Sequence, residues 1–238
     1  MMANALKILS VLLSYPSADL GAALPEIEAA IAADTRLAAA DRALLVALAA
    51  DIAGRDTYDA QERYVSLFDR TRTLSLHLFE HVHGESRDRG QAMVDLAQMY
   101  ERQGFDVDPG EMPDFLPLFL EYLSTQSDQE VHELLGQTLH IVANLRARLQ
   151  KRGSIYANAM LTLEAIAGIA PDAEKLGQLL EQPDHDPNDL EALDAVWESE
   201  AVTFGGGQGE NNCGPDRLRM QVRAARRPPP QPGSQGVS

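Results

Sequence analysis

Cysteine is nearly missing from this chain: Cys213 is the one thiol in 238 residues. An internal disulfide framework and a cysteine-rich zinc module are thereby excluded, and a reducing, cytoplasmic compartment is expected. Aromatic residues make up 5% of the sequence, with one Trp, so Ala and Leu have to fill most of the interior. No apolar run approaches the roughly twenty residues of a membrane-spanning helix. Basic residues are few, 20 against 36 acidic, for a net charge of −16. Five of them, Arg217, Arg219, Arg223, Arg226 and Arg227, follow the last acid, Asp216, so residues 1–216 hold 15 basic and 36 acidic residues, or −21. Such a body repels phosphate backbones, which argues against nucleic-acid binding. It attracts basic ligands and peptides, although solubility alone is a simpler use of the same charge. The common enzyme motifs are missing as well: there is no P-loop, GxGxxG, GxSxG or HExxH. The segment GGGQGENN (205–212) is followed by no Lys or helix that would hold a phosphate.

What the sequence does have is helical periodicity. The opening MMANALKILSVLLSYP has a single Lys7 and no small-residue cleavage site. With Leu6, Leu9 and Leu13 on one face, it reads as a first core helix rather than a signal peptide. Leu20, Leu24, Ile27 and Ile31 form a second stripe. Leu44, Leu45, Leu48 and Ile52 form a third, closed by Gly54. Asp56 is an N-cap for a helix carrying Tyr64, Leu67 and Phe68. Residues 87–103 carry Met93, Leu96, Ala97 and Tyr100, with Gly104 in the left-handed closing position. Asp114 is read as the N-cap of a helix with Leu118, Phe119 and Tyr122, and Pro117 falls in its first turn. The longest helix spans Asp128–Arg152, with a stripe from Val131 to Leu149 and a basic end that suits the helix dipole. A further helix carries Leu161, Leu163, Ile166 and Ile169 and stops at Pro171. The run Leu74, Leu76, Leu78 alternates, but one short alternation makes no sheet.

The fold class is therefore all-α, a helical bundle over residues 1–182. Glu181 to Glu200 holds eight acids and no Lys or Arg, and residues 183–204 read as an acidic linker with a short helix around Leu190–Trp197. Residues 205–238 concentrate Gly, Pro and Arg and read as a disordered tail, because such a composition buries too little surface to repay chain ordering.

Two segments are unusual for a plain bundle. Residues 64–93 mix aromatic, apolar and charged side chains and include HLFEHVHG. Were His77 and His81 on one helix, they would share a face and a metal could bridge them. A metal- or nucleotide-dependent enzyme built on His77, Glu80 and His81 is therefore an alternative to a purely structural cluster. In PDFLPLFLEYL (113–123), Phe115, Leu116, Phe119 and Tyr122 are too widely spread for one narrow stripe. Either they are core, or part of this surface lines a groove that takes an amphipathic helix, with Glu80, Asp114 and Glu121 pairing with basic residues of the guest. A salt-sensitive affinity is expected in the second case. The lone Cys213 is read as incidental.

LFEHVHGESRDRGQAMVDL (78–96) followed by PDFLPLFLEYL (113–123) resembles the NarJ family of nitrate reductase molybdenum-cofactor assembly chaperones. ALKILSVLLSYPSADL (5–20) and VTFGGG with the later CGP (202–215) are similar to the same family. The resemblance implies a TorD/NarJ-like helical bundle, cytoplasmic and non-catalytic, with no cofactor or metal of its own. The implied partner is the apo catalytic (alpha) subunit of respiratory nitrate reductase, recognised through its N-terminal, twin-arginine-like segment and held for cofactor insertion before membrane attachment. Molybdenum-cofactor loading proteins are further implied partners. The wider family has an Asp-His pair linked to peptide and nucleotide binding; here Asp114 is followed by Phe115, which departs from that pair. The peptide-binding residues expected from the resemblance and the segment chemistry are Phe79, Glu80, His81, Arg87, Asp114, Phe115, Pro117, Glu121 and Tyr122.

Overall fold

The computed structural model describes residues 3–82, 87–108 and 110–184. Among these residues there are ten α-helices and no strand. They are α1 (Ala3–Leu12), α2 (Ala18–Ala33), α3 (Ala39–Ala53), α4 (Thr57–Phe68) and α5 (Leu78–Val82), followed by α6 (Arg87–Arg102), α7 (Leu116–Ser124), α8 (Asp128–Lys151), α9 (Ala157–Ala167) and α10 (Ala173–Glu181). A 3₁₀ turn at Arg72–Leu74 precedes α5. Of the acidic linker only residues 183 and 184 are described; the rest of it, including the expected helix near Leu190–Trp197, and the tail lie outside the described residues, as do His83 and Cys213.

Side-chain caps start four of these helices. Asp56 accepts the Tyr58 N–H at 2.9 Å, Ser17 accepts that of Leu20 at 3.1 Å, and Asp172 accepts those of Glu174 and Lys175, each at 3.1 Å. Each bond satisfies a donor that the first helical turn leaves without a partner. Ser127 and Glu130 form a reciprocal capping box at the start of α8. Gly104 takes φ 72° after α6, the left-handed conformation that costs a residue without a Cβ little.

α7 is buried on nearly all sides. Leu116, Pro117, Leu118, Phe119, Leu120, Tyr122 and Leu123 are all buried, as expected of a helix that is apolar all round. α1 packs along it, and the Ser10 hydroxyl donates to the Pro117 carbonyl at 2.6 Å. α8 packs against α9 and α10, and α9 against α3, which in turn pairs with α2.

Three details depart from the sequence reading. Phe115, not Asp114, is the N-cap residue of α7, because the Asp114 side chain is engaged elsewhere. α9 ends at Ala167, where Gly168 takes φ 64°, before Pro171 is reached; Ile169 is consequently 56% exposed instead of continuing the stripe. The alternation at Leu74–Leu78 does place extended backbone beside another segment. His77 and Phe115 form one antiparallel bridge, in which the Leu78 N–H donates to the Asp114 carbonyl at 2.9 Å and the Leu116 N–H to the Leu76 carbonyl at 2.8 Å.

Candidate functional site

The groove is built from α5, α6, α7 and α8. α5 has five residues, too few to be stable alone, and its first two, Leu78 and Phe79, form one edge. α6 supplies a wall. Its Ala92, Leu96 and Met99 stand at helical spacing and are only partly buried, and Asp95 lies among them on the groove side. Phe119 of α7 is the floor, and Leu134, Gln137 and Thr138 of α8 form the far wall. The groove holds about 330 Å³ and is open to solvent. Among the described side chains of α6 only Tyr100, in the last turn, is buried. The middle of this helix therefore presents apolar surface that the chain itself does not fully cover.

A polar knot holds α5 against α7. Asp114 is 0% exposed. Its Oδ2 accepts the Phe79 N–H at 3.1 Å and its Oδ1 faces His77 Nδ1 at 3.2 Å. Arg89 donates to Glu80 at 3.2 Å and lies 4.0 Å from Asp114, so the start of α6 joins the same knot. The hydrogen bond to Asp114 raises the His77 pKa above 6.5, with burial opposing it. The His77 ring faces the carboxylate through Nδ1 and leans on Phe115 with centroids 5.3 Å apart. His81 is oriented inward, Nε2 donating to the Ser75 carbonyl at 2.8 Å. Burial drives its pKa down, which favours the neutral ring.

The nine residues expected at a peptide site are distributed unevenly. Phe79 lines the groove. Glu80, Asp114 and Phe115 belong to the knot beside it. His81 is buried against Ser75. Arg87 opens α6, and its side chain lies outside the described residues. Pro117 and Tyr122 are core, the Tyr122 ring packing on Tyr100 at 4.5 Å and Phe105 at 5.7 Å. Glu121 pairs with Lys7 of α1 at 3.1 Å and does not line the groove.

The paired-histidine arrangement does not form. His77 precedes α5 and is turned to Asp114, whereas His81 is turned to Ser75, so the two rings share no face. Among the described residues no group of three His, Cys, Asp or Glu is placed to hold a metal. Conversely, the sequence reading placed Leu96, Leu134 and Thr138 in ordinary core stripes, left Phe119 open between core and groove, and gave Ala92, Asp95, Met99 and Gln137 no role. The available signal was the composition of the α6 face, small Ala and adaptable Met where a packed helix would carry Leu or Ile.

Residues 17–162 match the family described as nitrate reductase delta subunit, a span that contains the whole groove. The chain is 44% identical to the nitrate reductase molybdenum cofactor assembly chaperone NarJ of Escherichia coli K12, over 92% of this chain and 91% of that protein. It is 38% identical to the protein of the same organism assigned as assembly chaperone NarW, over 84% of this chain and 83% of that one. A crystal structure from Archaeoglobus fulgidus, assigned to a redox enzyme maturation protein, superposes with a TM-score of 0.51 at 21% identity, covering 71% of this chain and 93% of that one. At that identity the superposition speaks to the fold alone, an all-α bundle.

Proposed function

Since the chain belongs to the nitrate reductase delta subunit family, and its relatives at 44% and 38% identity are named as assembly chaperones, we propose that it is the chaperone for molybdenum-cofactor insertion into a respiratory nitrate reductase. In this reading it binds the apo catalytic (alpha) subunit through that subunit's N-terminal segment, keeps it competent for loading, and delays membrane attachment until loading is complete. The observation that carries the chaperone reading is similarity at 44% identity over almost the entire length of both chains. Two features support recognition of a basic, helix-forming segment: the partly covered apolar groove and the acidic body around it.

Magnitudes assign the parts. A micromolar complex needs about 8 kcal/mol net. Each Leu- or Met-sized side chain buried in the groove contributes about 1.5–3 kcal/mol, whereas an exposed ion pair contributes about 0–1 kcal/mol. Apolar anchors therefore hold the guest, and carboxylates orient it and speed its arrival. No step of this function needs a reacting group on the chain itself.

The test is calorimetric titration of the full chain with a synthetic peptide of the catalytic subunit's N-terminus. One-to-one binding is expected, weakened at least about tenfold by Leu96→Asp or Met99→Asp, which place a charge on the apolar wall. Unchanged affinity in both variants would move the peptide off this groove. Fully loaded reductase from cells lacking this chain and any paralogue would remove the chaperone role.

A further inference from the structure

The groove wall carries a charge placed to read the guest. Of the residues that line the groove, Asp95 is the charged one. The other acids near it are occupied or out of reach: Glu80 is bound by Arg89, Asp114 is fully buried under His77, and Glu121 is bound by Lys7. Asp95 is exposed, and no ion pair among the described residues engages it. Its partner is neutral: Gln91, one turn earlier on α6, donates Nε2–H to Asp95 Oδ1 at 2.8 Å. That bond orients the carboxylate without cancelling its charge.

Position on α6 gives this charge its use. Ala92, Asp95 and Met99 are three and four residues apart, so they share one helix face, and Leu96 is the next residue. The carboxylate thus stands within the apolar wall instead of at a distant rim. The opposite wall presents the neutral Gln137 and Thr138. One side of the groove is anionic and the other is not, so a cationic guest helix fits in one rotational setting and a guest acid at that point is repelled. From this asymmetry we infer that Asp95 is the specificity-determining residue of the groove: it selects a guest helix with a Lys or Arg about one turn from its apolar anchor. The inference rests on the groove reading given above and adds the register of the guest to it.

Calorimetry with the full chain separates the two. The probes are the synthetic N-terminal peptide of the catalytic subunit and a set of peptides in which each Lys or Arg is changed to Glu, one at a time. Asp95→Lys should weaken the unmodified peptide about tenfold at low salt and Asp95→Asn about threefold. Both losses should shrink toward none near 1 M salt, where the Debye length is about 3 Å. One charge-reversed peptide, and not the others, should regain affinity with Asp95→Lys, which identifies the guest cation. Because Asp95 is exposed, the melting temperature of both variants should match that of the parent. If Leu96→Asp abolishes binding while Asp95→Lys changes neither affinity nor peptide preference, the inference on Asp95 is overturned and the groove stands. If neither substitution matters, the groove reading itself fails.

Discussion

Asp114 joins three segments through one buried carboxylate: the α5 backbone at Phe79, the His77 ring and, more distantly, Arg89. Asp114→Ala removes the acceptor and leaves the buried Phe79 N–H and the His77 ring without their partner, which costs about 2–4 kcal/mol. Asp114→Asn keeps an acceptor for Phe79 and should cost about half as much; urea unfolding measures both. His77 adds a pH dependence of known sign. Its folded pKa lies above 6.5, so its contribution is fully present below about pH 6.5 and is lost as the pH rises through the raised value. His81 acts oppositely, its contribution being present above about pH 6.5 and lost as the pH falls through its lowered value. The stability gap between the parent and His77→Gln should therefore be larger at pH 5.5 than at pH 8.5, and a gap independent of pH would contradict the His77–Asp114 pair. The sequence suggests Asp114 as important, as a groove carboxylate and as a helix cap; the cap is the wrong task, suggested because an Asp two residues before Leu116 and three before Pro117 fits that local pattern. Its true partner, His77, lies 37 residues earlier, and no local rule reveals a pairing over that distance.

At the scale of elements, what is local is legible. The Asp56 cap, the Gly104 stop and the span of α8 depend on neighbours within one turn, and they form as read. α8 ends at Lys151, one residue short of the expected end, within the fraying typical of helix termini. The end of α9 is missed because Gly168 acts before the more conspicuous Pro171. The α6 and α8 walls of the groove are missed for a different reason. Periodicity shows that α6 has an apolar face but not how much of that face the rest of the chain covers. α6 is tied at its start, through Arg89 to Glu80, and at its end, where the Tyr100 hydroxyl donates to the Pro113 carbonyl at 2.8 Å. Its middle is covered less. Amide exchange should accordingly be faster over residues 91–98 than over the buried stretch 139–145 of α8, and bound peptide should slow the former selectively. Uniform protection before binding would show that α6 is already a settled part of the core.

For the whole molecule, family membership identifies the system, and charge and composition are compatible with the proposed class of partner. The acidic body suits a basic guest, and the all-α architecture follows from stripes that bury Leu and Ala. The C-terminal boundary is less simple than composition suggests. Arg148 is buried on α8 and donates to the carbonyls of Leu179 and Gln182 at 2.8 and 3.0 Å, and Asp184 pairs with Lys151 and Arg152 at 3.1 and 2.8 Å. The first residues of the acidic stretch are therefore fastened to the bundle. We propose that the chaperone unit is complete with these residues and that the arginine-rich end is dispensable for peptide binding. Deleting 217–238 should leave affinity and melting temperature unchanged, whereas Arg148→Ala should destabilise the bundle by about 2–4 kcal/mol through three carbonyl contacts and a buried Asn144 left without their donor. The central claim, that one apolar groove between α5, α6 and α8 receives the N-terminal segment of an immature reductase subunit, is tested most directly by chemical-shift mapping of the labelled chain with that peptide. The account predicts saturable shifts centred on Leu78, Phe79, Leu96, Met99, Leu134 and Thr138; saturable shifts confined to another face would contradict it.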